Sequence, residues 1–216
     1  MIIEKSTGGG DFTPTEAGQH TGICNRVVDY GTHISTGMYA GKSQRKLMIA
    51  WEIPSLRVKF EKDGKEIEGP VIHIERYTWS FHENANLRAV LESWRGKQFV
   101  DEDFEGPKAF DMRNLIGVPA LLQIVHNAKG EKIYANLQSI MKMPGKREDW
   151  PTLENDPVFL DLRNFDQTMF EKLSDYWQSL IKTTPEWAEM FGSEHQQQNG
   201  YGSENPGAEM DDEIPF

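Results

Sequence analysis

The sequence is almost free of cysteine and has no long apolar run. Cys24 is the only cysteine among 216 residues, which excludes a disulfide bond within the chain. No apolar segment approaches the ~20 residues of a transmembrane helix. The opening stretch MIIEKSTGGG lacks the basic and then apolar pattern of a signal peptide. We therefore expect a soluble chain in the cytoplasm, with no membrane partner.

Motifs of catalysis and metal binding are also missing. The six histidines are scattered without HExxH or HxxxH spacing, and a single cysteine cannot form CxxC. Neither GxxxxGK[ST] nor GxSxG occurs. The acidic residues 101–103 have no EF-hand spacing and are typical of a solvated turn. The acids at 211–213 lie in a tail without the rigid frame that catalysis needs. We expect no enzymatic activity, no metal and no cofactor.

The net charge of −11 is unevenly distributed. Residues 20–147 contain 19 basic and 15 acidic residues, a net charge of +4. Residues 148–191 carry −7, and residues 192–216 carry −6. Because a polyanion responds to the local charge of the surface it meets, a DNA-binding core with acidic appendages is compatible with this composition.

Apolar periodicity predicts five strands and one helix. The strands are expected at residues 21–30, 46–53, 71–81, 118–126 and 132–143. Between the third and fourth strands, residues 83–96 carry apolar side chains at helical spacing and end at Gly96, a suitable C-cap. The order β-β-β-α-β-β is that of the OB-fold, a five-stranded barrel that binds oligonucleotides. The sequence therefore predicts a mainly β protein built on an OB-fold barrel.

Glycine and proline mark irregular positions in this pattern. Gly31 lies where the first strand would bend or bulge. Pro54 is expected to end the second strand. Residues 56–70 are then predicted to form an inserted hairpin, with its turn at Asp63 and Gly64.

The chain is predicted to have four parts. They are a flexible N-terminus (1–18), the OB-fold core (19–147), a helical extension (148–191) and a disordered linker with an acidic tip (192–216). In the extension, residues 165–182 are predicted to form one amphipathic helix. Its apolar face either packs on the barrel or forms an oligomer or partner surface. A homo-oligomer is therefore one of two interpretations.

Aromatic and basic residues are interleaved in the first loop, strands two and three, the hairpin and strand five. Bases stack on exposed rings while Lys and Arg neutralise phosphates, so this mixture favours single-strand binding without sequence reading. The candidate DNA-binding residues are Tyr39, Lys42, Arg45, Lys46, Trp51, Lys59, Phe60, Arg76, Tyr77, Trp79, Tyr134 and Lys142.

The sequence leaves open which face of the third strand meets DNA. Tyr77 and Trp79 share one face with Phe81 by alternation, and either face of this strand could line the barrel. Large apolar rings are usually buried, so core packing explains Trp79 and Phe81 as well as DNA contact does. Tyr39, in a polar loop, is a better stacking candidate, and Trp94 is expected in the core.

The last six residues form an acidic and then apolar tip. They are Asp211, Asp212, Glu213, Ile214, Pro215 and Phe216. Burying Phe216 in a partner's pocket would contribute ~2–3 kcal/mol. The acids steer the tip toward a basic rim, and Pro215 lowers the cost of ordering it. We predict a docking peptide for partner proteins, since a purely solubilising tail has no need of these apolar residues.

Several stretches resemble a known family. They are VVDYGT (27–32), WEIP (51–54), YTWSFHENANLRAVLESWRGKQF (77–99), FDMRNLIGVPALLQIVH (110–126), YANLQSIMKMP (134–144) and TPEWAEM (184–190). They are similar to phage-encoded single-stranded DNA-binding proteins, and the tip resembles that of the bacterial ones. The resemblance implies a role in DNA replication, recombination and repair, with replication enzymes recruited by the tip, in the cytoplasm of an infected bacterial host.

The leading hypothesis is thus a protein that coats and protects single-stranded DNA. The alternative is a replication or recombination adaptor whose OB-fold mainly binds protein. A third interpretation is a module that binds duplex DNA or RNA.

Overall fold

The computed structural model describes residues 14–35, 40–62, 65–130 and 132–192. The predicted linker and the tip, 193–216, lie outside the described residues, as does Tyr39. Within the described part of the chain, no helix is both long enough and apolar enough to span a bilayer.

The described chain is mainly β, which confirms the predicted class. The elements are β1 (Gly18–Ile34), β2 (Ser43–Lys62), β3 (Lys65–Thr78), α1 (Asn86–Arg95), β4 (Pro119–Lys129), β5 (Lys132–Lys142), β6 (Val158–Leu160), α2 (Gln167–Glu171), α3 (Asp175–Lys182) and α4 (Pro185–Phe191). One sheet has the order β3-β2-β1-β4-β5, with antiparallel neighbours, and the short β6 pairs in parallel with β1. The sheet is open between β3 and β5. The structure therefore shows the mainly β class and the strand order, whereas closure into a barrel stays a prediction.

The open edges of the sheet are linked by side chains. The backbone N–H of Leu137 on β5 donates to the Glu75 carboxylate of β3 at 2.7 Å, and His73 lies 3.0 Å from the same carboxylate. Thr15 is 3.2 Å from the other ring nitrogen of His73 and accepts from His126 of β4 at 2.8 Å. Thr15 is buried at these contacts, although it belongs to the N-terminal segment that the sequence predicts to be flexible.

The pairing of residues 57–62 with 65–70 confirms the predicted hairpin at residues 56–70, but the hairpin continues β2 and β3 and is not an insertion between them. β2 runs through Pro54 to Lys62 and pairs with β3 from Lys65 onward, so both strands project together as an arm of residues 57–62 and 65–70. The prediction that Pro54 ends β2 is wrong, because Pro54 falls in a register irregularity between Ile53 and Arg57. An irregularity of this kind tolerates the missing N–H of proline.

The predicted bend at Gly31 is confirmed. The β1–β2 register shifts between Asp29 and Gly31, and Gly31 has a φ of 87°. A Cβ at this position would lie 2.6 Å from the Thr184 side chain. Glycine is therefore required both for the backbone conformation and for the approach of α4 to the sheet.

A first core fills the space between one face of the sheet and α1. Leu87, Leu91 and Trp94 are the buried residues of α1, and the Trp94 indole donates to Pro119 O at 3.0 Å, as its predicted core position requires. Gly96 caps the helix in the left-handed conformation, which confirms the predicted C-cap.

A second core lies on the opposite face of β1 and β2. Its buried residues are Val28, Tyr30, Met48, Ala50, Val158, Leu160, Leu162, Phe170, Leu173, Trp177, Ile181 and Trp187. The extension packs here through β6 and the three C-terminal helices. Its apolar face is therefore occupied within the chain. The predicted single helix at 165–182 is broken at Ser174, which adopts an extended N-cap conformation that serine prefers to a helix interior.

A buried carboxylate also anchors the extension. Glu52 of β2 has no exposed surface and accepts hydrogen bonds from Glu154 N at 2.6 Å and Asn155 N at 3.2 Å. The Asn155 side-chain amide donates to the same carboxylate at 2.8 Å. The segment that leads into β6 is therefore fixed to the sheet before the strand begins.

Candidate nucleic-acid interface

Four of the predicted DNA-binding residues converge where β2 begins and β3 ends. Lys46 pairs in register with Thr78, and Trp79 N donates to Arg45 O at 2.8 Å. Arg76 lies two residues before Thr78 and therefore shares the face of Lys46. We call Arg45, Lys46, Arg76 and Trp79 the basic end of the sheet.

Arg45 is held by a buried carboxylate. Asp29 has no exposed surface, accepts from Gly31 N at 3.1 Å and Leu162 N at 3.2 Å, and forms an ion pair with the Arg45 guanidinium. The hydrogen bond to Asp29 raises the pKa of Arg45. Because its charge is largely compensated, Arg45 positions the basic end more than it attracts phosphate.

Trp79 is partly buried against the first core and faces two guanidinium groups. The Arg45 guanidinium carbon lies 5.2 Å from the ring centroid, and that of Arg163 lies 4.9 Å from it. Arg163 forms a two-point hydrogen bond with Asp161, both distances being 2.9 Å, and this bond raises the pKa of Arg163. Much of the Trp79 ring is thus covered by arginine.

Arg76 contacts two aromatic rings of α3. Its guanidinium donates to the Tyr176 hydroxyl at 3.1 Å and lies 5.5 Å from the Tyr176 centroid and 4.8 Å from that of Trp177. Within the described part of the chain no carboxylate forms an ion pair with Arg76. Tyr176 is 52% exposed. The basic end therefore offers a cation beside an accessible ring.

The cations of the basic end also act on a neighbouring histidine. Burial lowers the pKa of His33, a hydrogen bond to Tyr30 O and the Glu186 charge oppose that effect, and the charges of Lys46 and Arg76 lower the pKa further. Lys46 itself donates to Gln44 at 3.1 Å and to Thr78 at 3.0 Å. Both cations therefore act on the same imidazole.

Sequence reasoning missed Arg163 and Tyr176. Both lie in the extension, whose net charge of −7 argued against contact with a polyanion. No periodicity in the sequence connects these two residues, about 100 positions further along the chain, with the end of β3. They come close to that end only when the extension packs on the sheet. The only local sequence feature that could have indicated the site is the aromatic residue Tyr176 directly before Trp177.

The arm places Lys59 and Phe60 away from the basic end. Lys59 follows Arg45 by fourteen residues along β2, which corresponds to roughly 45 Å at the rise of an extended strand. Lys59 pairs with Glu66 at 2.9 Å, and Phe60 is 45% exposed. These two residues therefore do not form one compact site with Arg45.

The other candidates are dispersed or lie outside the description. Lys42 is exposed at the connection between β1 and β2, where its carbonyl accepts from Ser35 N at 2.8 Å. Tyr134 pairs with Asn127 near the β4–β5 turn, whereas Lys142 is at the other end of β5. Of these three, only Lys42 is close in sequence to the basic end.

The prediction that Trp51 and Tyr77 stack on bases is wrong. Trp51 has no exposed surface and Tyr77 is 4% exposed, because both side chains enter the first core. Burial also raises the pKa of Tyr77 well above its usual value. The face of β3 that carries His73 and Tyr77 lines the core, and the face of Arg76 points toward the extension.

The described residues contain no cluster of three or more His, Cys, Asp or Glu side chains arranged to hold a metal ion. No protein-family model matches the chain, and no curated protein matches it. The chemistry of the basic end is therefore the ground for a functional proposal.

Proposed function

We propose that this protein binds single-stranded DNA through an OB-fold and coats and protects it during phage DNA replication and recombination. One observation carries the proposal: the Arg76 guanidinium lies against the half-exposed Tyr176 ring, on the same face as Lys46. A cation for phosphate beside a ring for a base is the pairing that single-strand binding uses.

The strand arrangement supports the OB-fold part of the proposal. Five strands follow the order β3-β2-β1-β4-β5, and α1 falls between β3 and β4 in the chain. An OB-fold is a partly open five-stranded barrel whose second and third strands contribute to the ligand surface. The hydrogen bond from Leu137 N to Glu75 joins the two ends of this order, as a partly open barrel would require.

A single strand fits this surface better than a duplex. Bases in a duplex are stacked on one another and cannot reach a protein ring, whereas the bases of a single strand are free to do so. The two-stranded arm, a shape that could enter a major groove, lies away from the basic end, and its Arg57 and Lys59 side chains pair with carboxylates. Duplex DNA and RNA are therefore the competitors to include in the test.

Partner recruitment through Ile214, Pro215 and Phe216 stays a prediction from the sequence. The tip lies outside the described residues, and its proposed partners are replication or recombination proteins in an infected bacterial cell. Many tips on one coated strand would raise their local concentration and strengthen an individually weak contact. Self-association of the protein is likewise a prediction from the sequence.

The test is a titration of the full chain with oligo(dT), in which tryptophan fluorescence is measured at several salt concentrations. We expect saturable quenching and an affinity that falls as salt rises. A duplex competitor should displace the oligonucleotide poorly, and strong displacement by duplex DNA or RNA would favour the third interpretation. Absence of binding at ~50 mM salt would contradict the proposal and favour the adaptor whose OB-fold mainly binds protein.

A further inference from the structure

Three of the aromatic residues that the sequence offered for base stacking, Trp51, Tyr77 and Trp79, do not suit that role. Trp51 and Tyr77 are buried in the first core. Trp79 is partly buried and has the guanidinium groups of Arg45 and Arg163 at 5.2 and 4.9 Å from its ring centroid. A base would have to displace one of these arginines, each of which is held by a carboxylate. The basic end therefore needs another ring for stacking.

We propose that Tyr176, on helix α3 of the extension, is the residue on which a DNA base stacks, with Arg76 directing the adjoining phosphate. This inference rests on the proposed function. It makes the extension a part of the interface, so that the binding site spans β3 and α3. Sequence reasoning had assigned all of the DNA contacts to the region before residue 148.

The surroundings of Tyr176 hold its ring in place without covering it. Trp177 is buried in the second core, and its ring meets that of Tyr176 edge-on, with centroids 5.4 Å apart and planes at 78°. Arg76 donates to the Tyr176 hydroxyl at 3.1 Å. Tyr176 is nonetheless 52% exposed. A ring that is fixed before binding loses little conformational entropy when a base stacks on it.

Arg76 has donors to spare for a phosphate. A guanidinium carries five N–H donors, and among the described residues one of them is used, on the Tyr176 hydroxyl. The same guanidinium lies over Tyr176 and Trp177, so its plane is fixed by both rings. With the cation over one side of the ring, a base can use the remaining exposed ring surface while its phosphate meets the guanidinium edge.

The experiment compares Tyr176→Leu with Tyr176→Phe in the full chain, using oligo(dT) and an abasic strand of the same length. Tyr176→Leu removes the ring and should weaken oligo(dT) binding about tenfold, with little change for the abasic strand. Tyr176→Phe keeps the ring but removes the hydroxyl, and should restore most of the affinity. Because Tyr176 is half-exposed, both variants are expected to fold, which circular dichroism would verify.

Phe104→Leu is the matched control. Phe104 is 38% exposed and lies among Asp101, Glu102 and Glu105, which repel phosphate, so its loss should leave oligo(dT) affinity unchanged. Wild-type binding that survives Tyr176→Leu would overturn the inference and leave the proposed function standing. An equal loss on both strands would also overturn it, since a base-stacking role predicts a base-dependent loss. No binding by the wild type would overturn both proposals.

Discussion

The two ends of the β2–β3 ladder carry similar numbers of cations but present different surfaces. At the arm, Arg57 pairs with Glu68 and Glu154, and Lys59 pairs with Glu66. At the basic end, Arg76 lies against Tyr176 without an ion pair to any described carboxylate. The number of Lys and Arg residues in a segment therefore does not determine the electrostatic potential at its surface, because carboxylates on the paired strand can cancel their charge.

The arm is also neutral in composition. Residues 57–68 contain four basic and four acidic residues. Its other face is apolar, with Val58, Phe60 and Ile67 each 38–45% exposed. One ladder thus combines a positive end beside the extension with a neutral projection, and the single-stranded DNA of the proposed function would be drawn to the first.

The largest expected difference between the two ends concerns stability. Asp29→Asn should lower the free energy of unfolding by about 3 kcal/mol, because it leaves Arg45 and the loop N–H groups without their buried acceptor charge. The counterpart on the arm, Glu66→Gln, breaks an exposed pair and should change it by less than about 0.5 kcal/mol. Urea unfolding of both variants measures the contrast. Similar losses for both would refute it.

The second expected difference concerns DNA affinity. Replacing Lys46 and Arg76 together by glutamine should weaken oligo(dT) binding about tenfold and reduce the salt slope by about 1.4, because each phosphate contact to a single strand contributes ~0.7. The same change at Arg57 and Lys59 should leave both quantities near their wild-type values. Fluorescence titrations at several salt concentrations give the slopes. A larger effect from the arm pair would reverse the assignment of the interface.

The smallest expected effect is a shift in the pKa of His33. The positive charges of Lys46 and Arg76 disfavour a protonated imidazole, so Arg76→Gln should raise the pKa of His33 toward its usual value. Bound DNA phosphates should raise it as well, whereas Arg57→Gln should have no effect. An NMR titration of the imidazole signals follows the change. A lower pKa in Arg76→Gln would show that the field at this end has the opposite sign.

Much of the architecture was predictable because local patterns specify it. The five long strands and α1 follow from alternation and helical spacing, and Gly31 and Gly96 occupy the bulge and the cap predicted for them. The errors have a common origin in tertiary contacts. Pro54 is accommodated by an irregular register, and β6 is a three-residue strand that pairs with β1 beyond the segment that β4 occupies.

The candidate site was predictable only in part. Arg45, Lys46, Arg76 and Trp79 are among the predicted DNA-binding residues, and the structure brings them together because adjacent antiparallel strands meet at their ends. Burial of Trp51 and Tyr77 could not be read from alternation, since β1 and β2 are covered on both faces and neither parity marks the solvent. Arg163 and Tyr176 reach the site through packing of a distant segment, which one sequence does not encode locally.

Insertion of β6 into the sheet has a consequence for how the chain responds to cleavage. Val158–Leu160 pairs with Arg26–Val28, and Glu52 holds the preceding backbone at Glu154 and Asn155. A protease that cuts between β5 and β6 would sever the covalent link but leave these hydrogen bonds and the second core intact. The two fragments would co-elute as one particle in native chromatography and separate only in denaturant.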